Sequence, residues 1–161
     1  MRRLRDLLTT RGRAFVAAGV TLVERALGVQ RVGPYQVQAA IAALHDAAGE
    51  PDRTDWPQIA ALYGRLAELA PSPVVELNRA VAIAMADGPA AGLTRLDALA
   101  ADGRLATYPY FHAARADLLR RLDRRDAAAA AYRSALALTT NEVERAFLAR
   151  RLREVGGALP A

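Results

Sequence analysis

The most informative absence in this 161-residue sequence is cysteine, of which there is none. Disulfides, thiolate zinc sites and cysteine nucleophiles are therefore excluded. Lysine is missing too, so that all 22 basic residues are arginines. Aromatic residues make up only 6% of the chain although apolar residues make up 53%, and alanine fills much of the apolar share. This composition favours helix over strand and the close packing of small side chains.

The arginine excess gives the chain a formal net charge of +5 at pH 7. One interpretation is that arginine, alanine, glycine and proline reflect GC-rich codons, and the other is an anionic partner held by guanidinium groups. Acidic residues lie within both of the densest groups of arginines, which favours ion pairs on a solvated face over phosphate binding. The first group is Arg120, Arg121, Arg124 and Arg125 with Asp123 and Asp126, and the second is Arg145, Arg150, Arg151 and Arg153 with Glu142 and Glu144. Direct DNA binding by this chain alone is the less favoured expectation.

Long apolar runs are also scarce. The longest candidate, from Ala14 to Val23, has ten residues and is too short to span a bilayer. Glu24 and Arg25 follow it at once, and no cleavage site of small residues is present, which argues against a signal peptide. Its apolar side chains recur at helical spacing, at Phe15, Val16, Val20, Val23 and Leu27. We therefore expect an amphipathic helix of a cytoplasmic protein that has no membrane segment.

Proline and glycine divide the chain into helices with short connections. We predict a flexible basic arm over residues 1–12, one helical domain over 13–155 and a loose tail over 156–161. The fold class expected is all-α, with about eight helices whose neighbours run antiparallel because most connections are two to six residues long. The predicted helices span about 13–27, 35–48, 56–69, 73–85, 89–101, 109–122, 124–138 and 141–155.

Three cap signals support these boundaries. Thr54 or Asp55 is expected to cap the helix that begins near residue 56, and Ser72 the helix that begins at residue 73. Asn141, with Glu144 three residues later, matches a capping box. On the helix after Ser72, the spacing predicts one buried apolar stripe made of Val74, Leu77, Val81 and Met85.

The helix pairs repeat along the chain. Tyr63, Asp97 and Tyr132 are separated by 34 and 35 residues, and Leu66, Ala100 and Ala135 keep step with them. This resembles a tetratricopeptide repeat, in which helical hairpins with a period of about 34 residues stack on one another. The array is degenerate, because Asp97 stands where an aromatic residue is expected. The residues predicted to pack the repeats together are Trp56, Tyr63, Ala116, Leu119, Ala128, Tyr132 and Ala135.

Several short stretches in order resemble one particular family. They are residues 33–43 (GPYQVQAAIAA), 54–56 (TDW), 70–75 (APSPVV), 77–82 (LNRAVA), 88–93 (GPAAGL), 112–119 (HAARADLL) and 141–152 (NEVERAFLARRL). Together they resemble the C-terminal tetratricopeptide-like extension that follows the two sigma regions in one group of extracytoplasmic-function sigma factors. The resemblance implies a helical domain that modulates transcription initiation through contacts with sigma regions, RNA polymerase or a small partner protein, such as one with a DGPF motif. A promoter-melting region and a helix-turn-helix are not found in the chain, so promoter recognition is not expected of it alone.

Candidate partner-binding residues follow from the repeat, because the first helix of each tetratricopeptide pair lines the concave face. The polar residues on these helices are Gln36, Gln38, Asn78, Arg79, His112 and Arg115. Asparagine and arginine side chains suit the backbone and carboxylate groups of an extended peptide. The alternative is that these groups are internal, bonded to helix ends, and keep the repeats in register.

Catalytic and cofactor-binding patterns are not found. His45 and His112 are the only histidines, and neither has a second metal ligand at helical spacing. Without a glycine-rich phosphate loop or a nucleophile-base pair, we expect no enzyme activity, metal or cofactor. The predicted function is therefore that of a regulatory, protein-binding domain of an extracytoplasmic-function sigma factor. A free-standing peptide-binding adaptor is the first alternative, and a nucleic-acid binder that uses its arginine face is the second.

Overall fold

The protein is helical throughout the part that its computed structural model describes, residues 33–48 and 54–156. Within these ranges there are seven α-helices and no strand, which confirms the predicted all-α class. The predicted arm, the predicted helix 13–27 and residues 157–161 lie outside the described residues. The helices are α1 (Pro34–Ala48), α2 (Trp56–Leu69), α3 (Pro73–Ala86), α4 (Pro89–Asp102), α5 (Pro109–Arg121), α6 (Arg125–Leu138) and α7 (Glu142–Gly156).

Proline and short polar side chains set most of the helix starts. Helices α1, α3, α4 and α5 each begin at a proline, whose missing N–H falls where a helix has no internal partner for that group. Of the two caps considered for α2, Asp55 is the one used: its carboxylate accepts a hydrogen bond of 3.0 Å from the Gln58 amide. The Ser72 hydroxyl accepts from the amide of Val74 at 3.3 Å, which is consistent with the cap expected for α3.

The capping box predicted at α7 is only half formed. Asn141 Oδ1 accepts hydrogen bonds from the amides of Val143 and Glu144, at 3.0 and 3.1 Å. The Glu144 carboxylate bonds instead to the hydroxyl of Tyr110, 34 residues away, at 2.9 Å. The prediction of a reciprocal bond from Glu144 to Asn141 is therefore wrong, because a neighbouring helix offers this carboxylate another donor.

Contacts between Cα atoms divide the chain into two compact units, Met1–Val75 and Glu76–Ala161, with the boundary inside α3. In the first unit α1 packs against α2. Their buried side chains are Val37, Ala40 and Ile41 on α1, and Ile59 and Leu66 on α2. At one edge of this pair the rings of His45 and Trp56 meet edge to face, with centroids 5.3 Å apart. Trp56 and Tyr63 are half-buried.

The second unit contains the larger core. Here α5 packs against both α4 and α6, and α6 packs against α7. Tyr132 on α6 is the largest of the fully buried side chains among the described residues, and the core to which it belongs contains many alanines. The five predicted packing residues of this unit are all buried, namely Ala116, Leu119, Ala128, Tyr132 and Ala135. The corner between α5 and α6 is tight enough to hold Asp123 at a φ of 55°, where its carboxylate accepts from Arg125 Nε at 2.9 Å.

Helix α3 departs from its predicted apolar stripe. Leu77 is buried and Val81 is half-buried, but Val74 and Met85 are exposed. For Met85 the reason lies in α4, which comes so close at Gly92 that only small residues fit against this part of α3. A Cβ atom at Gly92 would clash with the Ala84 side chain and would lie 2.7 Å from the Ala80 carbonyl oxygen. Alanines therefore occupy the buried face of α3, and two of the larger side chains point to solvent.

None of the helices in residues 33–48 and 54–156 is both long and apolar enough to cross a membrane.

We predict that Gly92→Ala destabilises the protein by about 1–3 kcal/mol, because the added methyl group meets a rigid methyl and a backbone carbonyl. The measurement is the free energy of unfolding in urea, followed by circular dichroism. Gly156→Ala is the matched control, since no atom of residues 33–48 and 54–156 lies within 4 Å of its Cβ position, and it should stabilise by no more than about 1 kcal/mol through helix propensity. Equal effects of the two substitutions would contradict the close approach of α3 and α4.

Candidate protein-binding site

The predicted site residues of the first unit are both free. Gln36 and Gln38 are exposed on α1, and neither forms a hydrogen bond with any residue of the described ranges. They are thus available for contact with a partner. The structure does not assign them a role in holding helices together.

His112 on α5 has a structural partner. Its Nε2 atom lies 2.7 Å from the carbonyl oxygen of Ala106, in the connection between α4 and α5. The ring also contacts the ring of Phe111, with centroids 5.3 Å apart. The bond ties the connection to the first turn of α5, which is the structural role that the alternative interpretation gave to this histidine.

Arg115, one turn further along α5, also bonds within the chain. Its Nη2 and Nε atoms lie 2.9 and 3.0 Å from Asp97 Oδ1 on α4. Asp97, where the repeat resemblance predicts an aromatic residue, is exposed and faces a guanidinium group. Arg115 therefore links two helices, and a partner would have to compete with Asp97 for it.

Asn78 and Arg79 on α3 differ from these two residues. Asn78 is exposed and forms no hydrogen bond within residues 33–48 and 54–156. Arg79 Nη1 lies 3.7 Å from Glu76 Oε1, which is a long ion pair, and its Nε atom is buried without a hydrogen-bond partner in the described structure. The structure brings His112 and Arg115 together on α5, and it leaves Asn78 with all its donors and acceptors unused.

Helices α5 and α7 lie side by side and run in the same direction. Near their first turns, the Tyr110 hydroxyl donates to Glu144, and this bond raises the pKa of Tyr110. Near their last turns, Arg151 contributes most to lowering the pKa of Glu154, and Arg120 on α5 contributes as well. One hydrogen bond joins the two helices near their first turns, and near their last turns Arg120 is close enough to Glu154 to influence its pKa.

A group of charged side chains surrounds buried Tyr132 where α5, α6 and α7 meet. Arg120 Nη2 lies 2.6 Å from Asp117 Oδ1, and this hydrogen bond raises the pKa of Arg120. Arg151 Nη1 lies 2.8 Å from Glu154 Oε2. The pKa of Tyr132 is raised, first by burial and then by the nearby Asp117 carboxylate. Arg120 and Arg151 act in the opposite direction, and burial with Asp117 outweighs them, so that the phenol stays neutral in the core.

Residues that the sequence reasoning missed lie on α7. Val143 is 80% exposed and Phe147 is 47% exposed, and Tyr110 beside them on α5 is 51% exposed. The guanidinium carbons of Arg150 and Arg151 lie 5.4 and 5.3 Å from the centroid of the Phe147 ring. The spacing of Val143, Phe147 and Arg150, by four and then three residues, was a signal for one helix face. We call Tyr110, Val143, Phe147 and Arg150 the α5/α7 surface.

The exposed large apolar side chains follow a pattern across the described residues. They all lie on α1, α3, α5 and α7, and α2, α4 and α6 carry none. Within the described residues, exposed large apolar side chains are thus found on one set of alternate helices and not on the other. Isolated exposed apolar residues are ordinary on protein surfaces, and here they share alternate helices of the described chain. The residues are Tyr35, Val74, Met85, Tyr110, Val143 and Phe147.

Within the described ranges, no three histidine, aspartate or glutamate side chains come together in a way that could hold a metal ion.

Comparison with known proteins gives one informative similarity. An uncharacterized protein of Rhizobium meliloti (strain 1021) is 44% identical to this chain over 140 residues, which cover 87% of the chain. The matched stretch is 33% of that protein, so the chain spans about a third of the length of the curated relative it matches. No family model and no solved structure matches the chain.

We predict that His112→Ala lowers the free energy of unfolding by about 0.5–1.5 kcal/mol, because the bond to the Ala106 carbonyl is lost. Asn78→Ala is the comparison, and it should change stability by less than about 0.5 kcal/mol because an exposed, unbonded side chain is removed. Urea unfolding followed by circular dichroism measures both. A stability loss in Asn78→Ala as large as that in His112→Ala would refute this division between bonded and free residues.

A second prediction concerns Tyr110 and pH. Because Glu144 raises the pKa of Tyr110 in the folded state, the hydrogen bond stabilises the fold fully below the unfolded pKa of about 10. That contribution is lost as the pH rises through the folded-state pKa, since a phenolate beside Glu144 is repelled. The free energy of unfolding of the wild type should therefore fall relative to Tyr110→Phe at high pH. Tyr132 is present in both proteins, so its titration contributes equally to both free energies of unfolding. A difference in the free energy of unfolding between the two proteins that does not vary with pH would contradict the bond.

Proposed function

We propose that this chain is the C-terminal regulatory domain of an extracytoplasmic-function sigma factor, and that it binds protein through one side of a tetratricopeptide-like array. In this arrangement α1 pairs with α2, α3 with α4 and α5 with α6 as antiparallel hairpins, and α7 ends the series. The helix predicted over 13–27 would be an eighth. The domain would act by binding and not by catalysis.

The spacing of contacts in the second unit supports the repeat. Tyr110 and Glu144 are 34 residues apart, and Arg121 Nη1 lies 3.4 Å from the sulfur of Met85, 36 residues away. The first contact joins α5 to α7, and the second joins the first helices of two hairpins, α3 and α5. Equivalent positions in adjacent tetratricopeptide repeats are separated by about 34 residues, so these are the contacts expected when the first helices lie next to one another.

The single observation that carries the binding function is the restriction of exposed large apolar side chains to alternate helices. Helical repeat proteins use the concave surface of the stack to bind other proteins, and alternate helices line that surface. Apolar side chains kept in solvent on one set of helices are what such a surface needs, because they lose contact with water when a partner arrives.

The sigma-factor assignment is supported by the ordered motifs that resemble the extension of that family. The length of the Rhizobium relative is compatible with it, because two thirds of that protein lie outside the match and leave room for other regions. The proposed mechanism is that the domain contacts a sigma region or RNA polymerase, and shifts it between competent and silent states by binding one of them more tightly.

Nucleic-acid binding is less favoured because several arginines of the two densest groups are occupied by carboxylates. Arg120, Arg125 and Arg151 each lie within 3 Å of a carboxylate, at Asp117, Asp123 and Glu154. A phosphate would have to displace these carboxylates. A protein partner could contact the same side chains without displacing these carboxylates, because mixed charges beside exposed apolar residues are ordinary features of protein interfaces.

The test is retention of purified RNA polymerase and sigma regions from the encoding genome on the immobilised chain. We expect wild type to retain one of them and Val143→Glu/Phe147→Glu to lose at least about 90% of the signal, because two charges enter an apolar contact. The matched control is Ala130→Glu/Ala137→Glu, which adds the same charges at exposed positions of α6. Circular dichroism checks that both variants are folded.

Two outcomes would count against the proposal. If wild type retains neither polymerase nor sigma regions, the sigma-factor role is lost and a free-standing adaptor is favoured. If the α6 control loses binding as fully as the α7 variant, the contact does not lie on the alternate helices.

A further inference from the structure

The α5/α7 surface joins apolar side chains to arginines that are not fully neutralised. Tyr110, Val143 and Phe147 leave much of their area in solvent, as described above. In contrast to Leu148 and Val155, which are buried in the core, these three residues are exposed. The side-by-side alignment of α5 and α7 makes them one continuous strip.

The cations at one end of this strip outnumber their carboxylate. Arg150 and Arg151 both approach the ring of Phe147, and both share the single carboxylate of Glu154. The Arg150–Glu154 pair is long, at 3.8 Å, and the Arg150 side chain is 60% exposed. Arg151 Nε is buried without a hydrogen-bond partner in the described structure. The Arg151 Nε atom is out of reach of a partner, so the accessible unused donors beside the exposed ring are those of Arg150.

Further charge lies on the same end of α7. Arg153 is exposed and has no ion pair within residues 33–48 and 54–156. The last two turns thus carry three arginines and one glutamate. At the other end of the strip the Glu144 carboxylate is engaged by the Tyr110 hydroxyl, and Arg145 donates to the carbonyls of Leu136 and Thr139, which end α6. The free charge of the strip is concentrated around Arg150.

We propose that the α5/α7 surface is a docking site for a peptide segment of another protein in which apolar side chains are followed by carboxylates. The apolar side chains cover Tyr110, Val143 and Phe147, and the carboxylates bind the donors of Arg150 and its neighbours. The ring of Phe147 holds the guanidinium groups in place before binding, which reduces the entropy lost when the partner arrives. This inference deepens the proposed function by naming the chemistry of the partner.

The test uses the purified full chain and two fluorescein-labelled peptides, so that it does not depend on polymerase. Each peptide has about 15 residues with leucines at helical spacing, and one carries glutamate where its twin carries lysine. Fluorescence anisotropy should show that the glutamate peptide binds at least about tenfold more tightly, and that its affinity falls as salt is added.

Three single substitutions locate the contact. Phe147→Ala should weaken binding of the glutamate peptide by at least about fivefold, because it removes both apolar area and the support of the arginines. Arg150→Gln should weaken it by a similar factor and reduce the preference over the lysine peptide. Arg133→Gln removes the same charge from an exposed, unpaired position on α6, and should leave affinity unchanged. Circular dichroism confirms that each variant is helical.

Four results would overturn the inference. They are equal affinity for the two peptides, an equal effect of Arg133→Gln and Arg150→Gln, tighter binding of a DNA duplex than of the glutamate peptide, and self-association of the chain in sedimentation that Val143→Glu abolishes. Self-association that Val143→Glu abolishes would mean that a second copy of this chain occupies the surface. Binding of the glutamate peptide without retention of polymerase or sigma regions would keep this inference and reject only the sigma-factor role.

Discussion

The close approach of helices through small side chains is the constraint on which the second unit depends. Gly92 lets α4 touch α3 at Ala80 and Ala84, and buried alanines on α5 and α6 allow the same along the rest of the core. Small contacts bury little apolar area each, so stability must come from many of them and from a few large side chains such as Tyr132. Larger apolar residues that do not fit between the helices remain on their outer faces, where they are available to a partner.

Local signals in the sequence were sufficient for the helices and not for every contact between them. Proline at the first position and a capping side chain act within one turn, so the seven described helices begin and end within about two residues of their predicted bounds. The apolar stripe predicted on α3 failed because the nearness of Gly92 on α4 is not visible in the spacing of α3 itself. The half-formed capping box failed for the same kind of reason, since Tyr110 lies far from Glu144 in sequence.

The candidate site also shows that local sequence signals place residues on helices but do not reveal their contacts with distant residues. Sequence alone placed Asn78, Arg79, His112 and Arg115 on alternate helices, but it left open which of them are occupied. Only the structure shows that His112 holds the connection before α5 and that Arg115 faces Asp97. Val143 and Phe147 were overlooked because an apolar residue at helical spacing is normally assigned to the core. On α7 the core face is formed by Leu148 and Val155, and a second apolar face exists beside it.

The pairing of arginines is what separates a protein partner from a nucleic acid. A surface that binds phosphates needs guanidinium groups free of carboxylates, because each neutralised arginine releases fewer counterions from the backbone. Here Asp117, Asp123 and Glu154 each neutralise an arginine that sequence alone would count as basic surface. Among the arginines that keep unpaired charge, Arg150 lies beside Phe147 and adjoins exposed apolar area. A partner with both apolar and acidic groups would complement such a surface. A polypeptide segment can supply both more readily than a duplex.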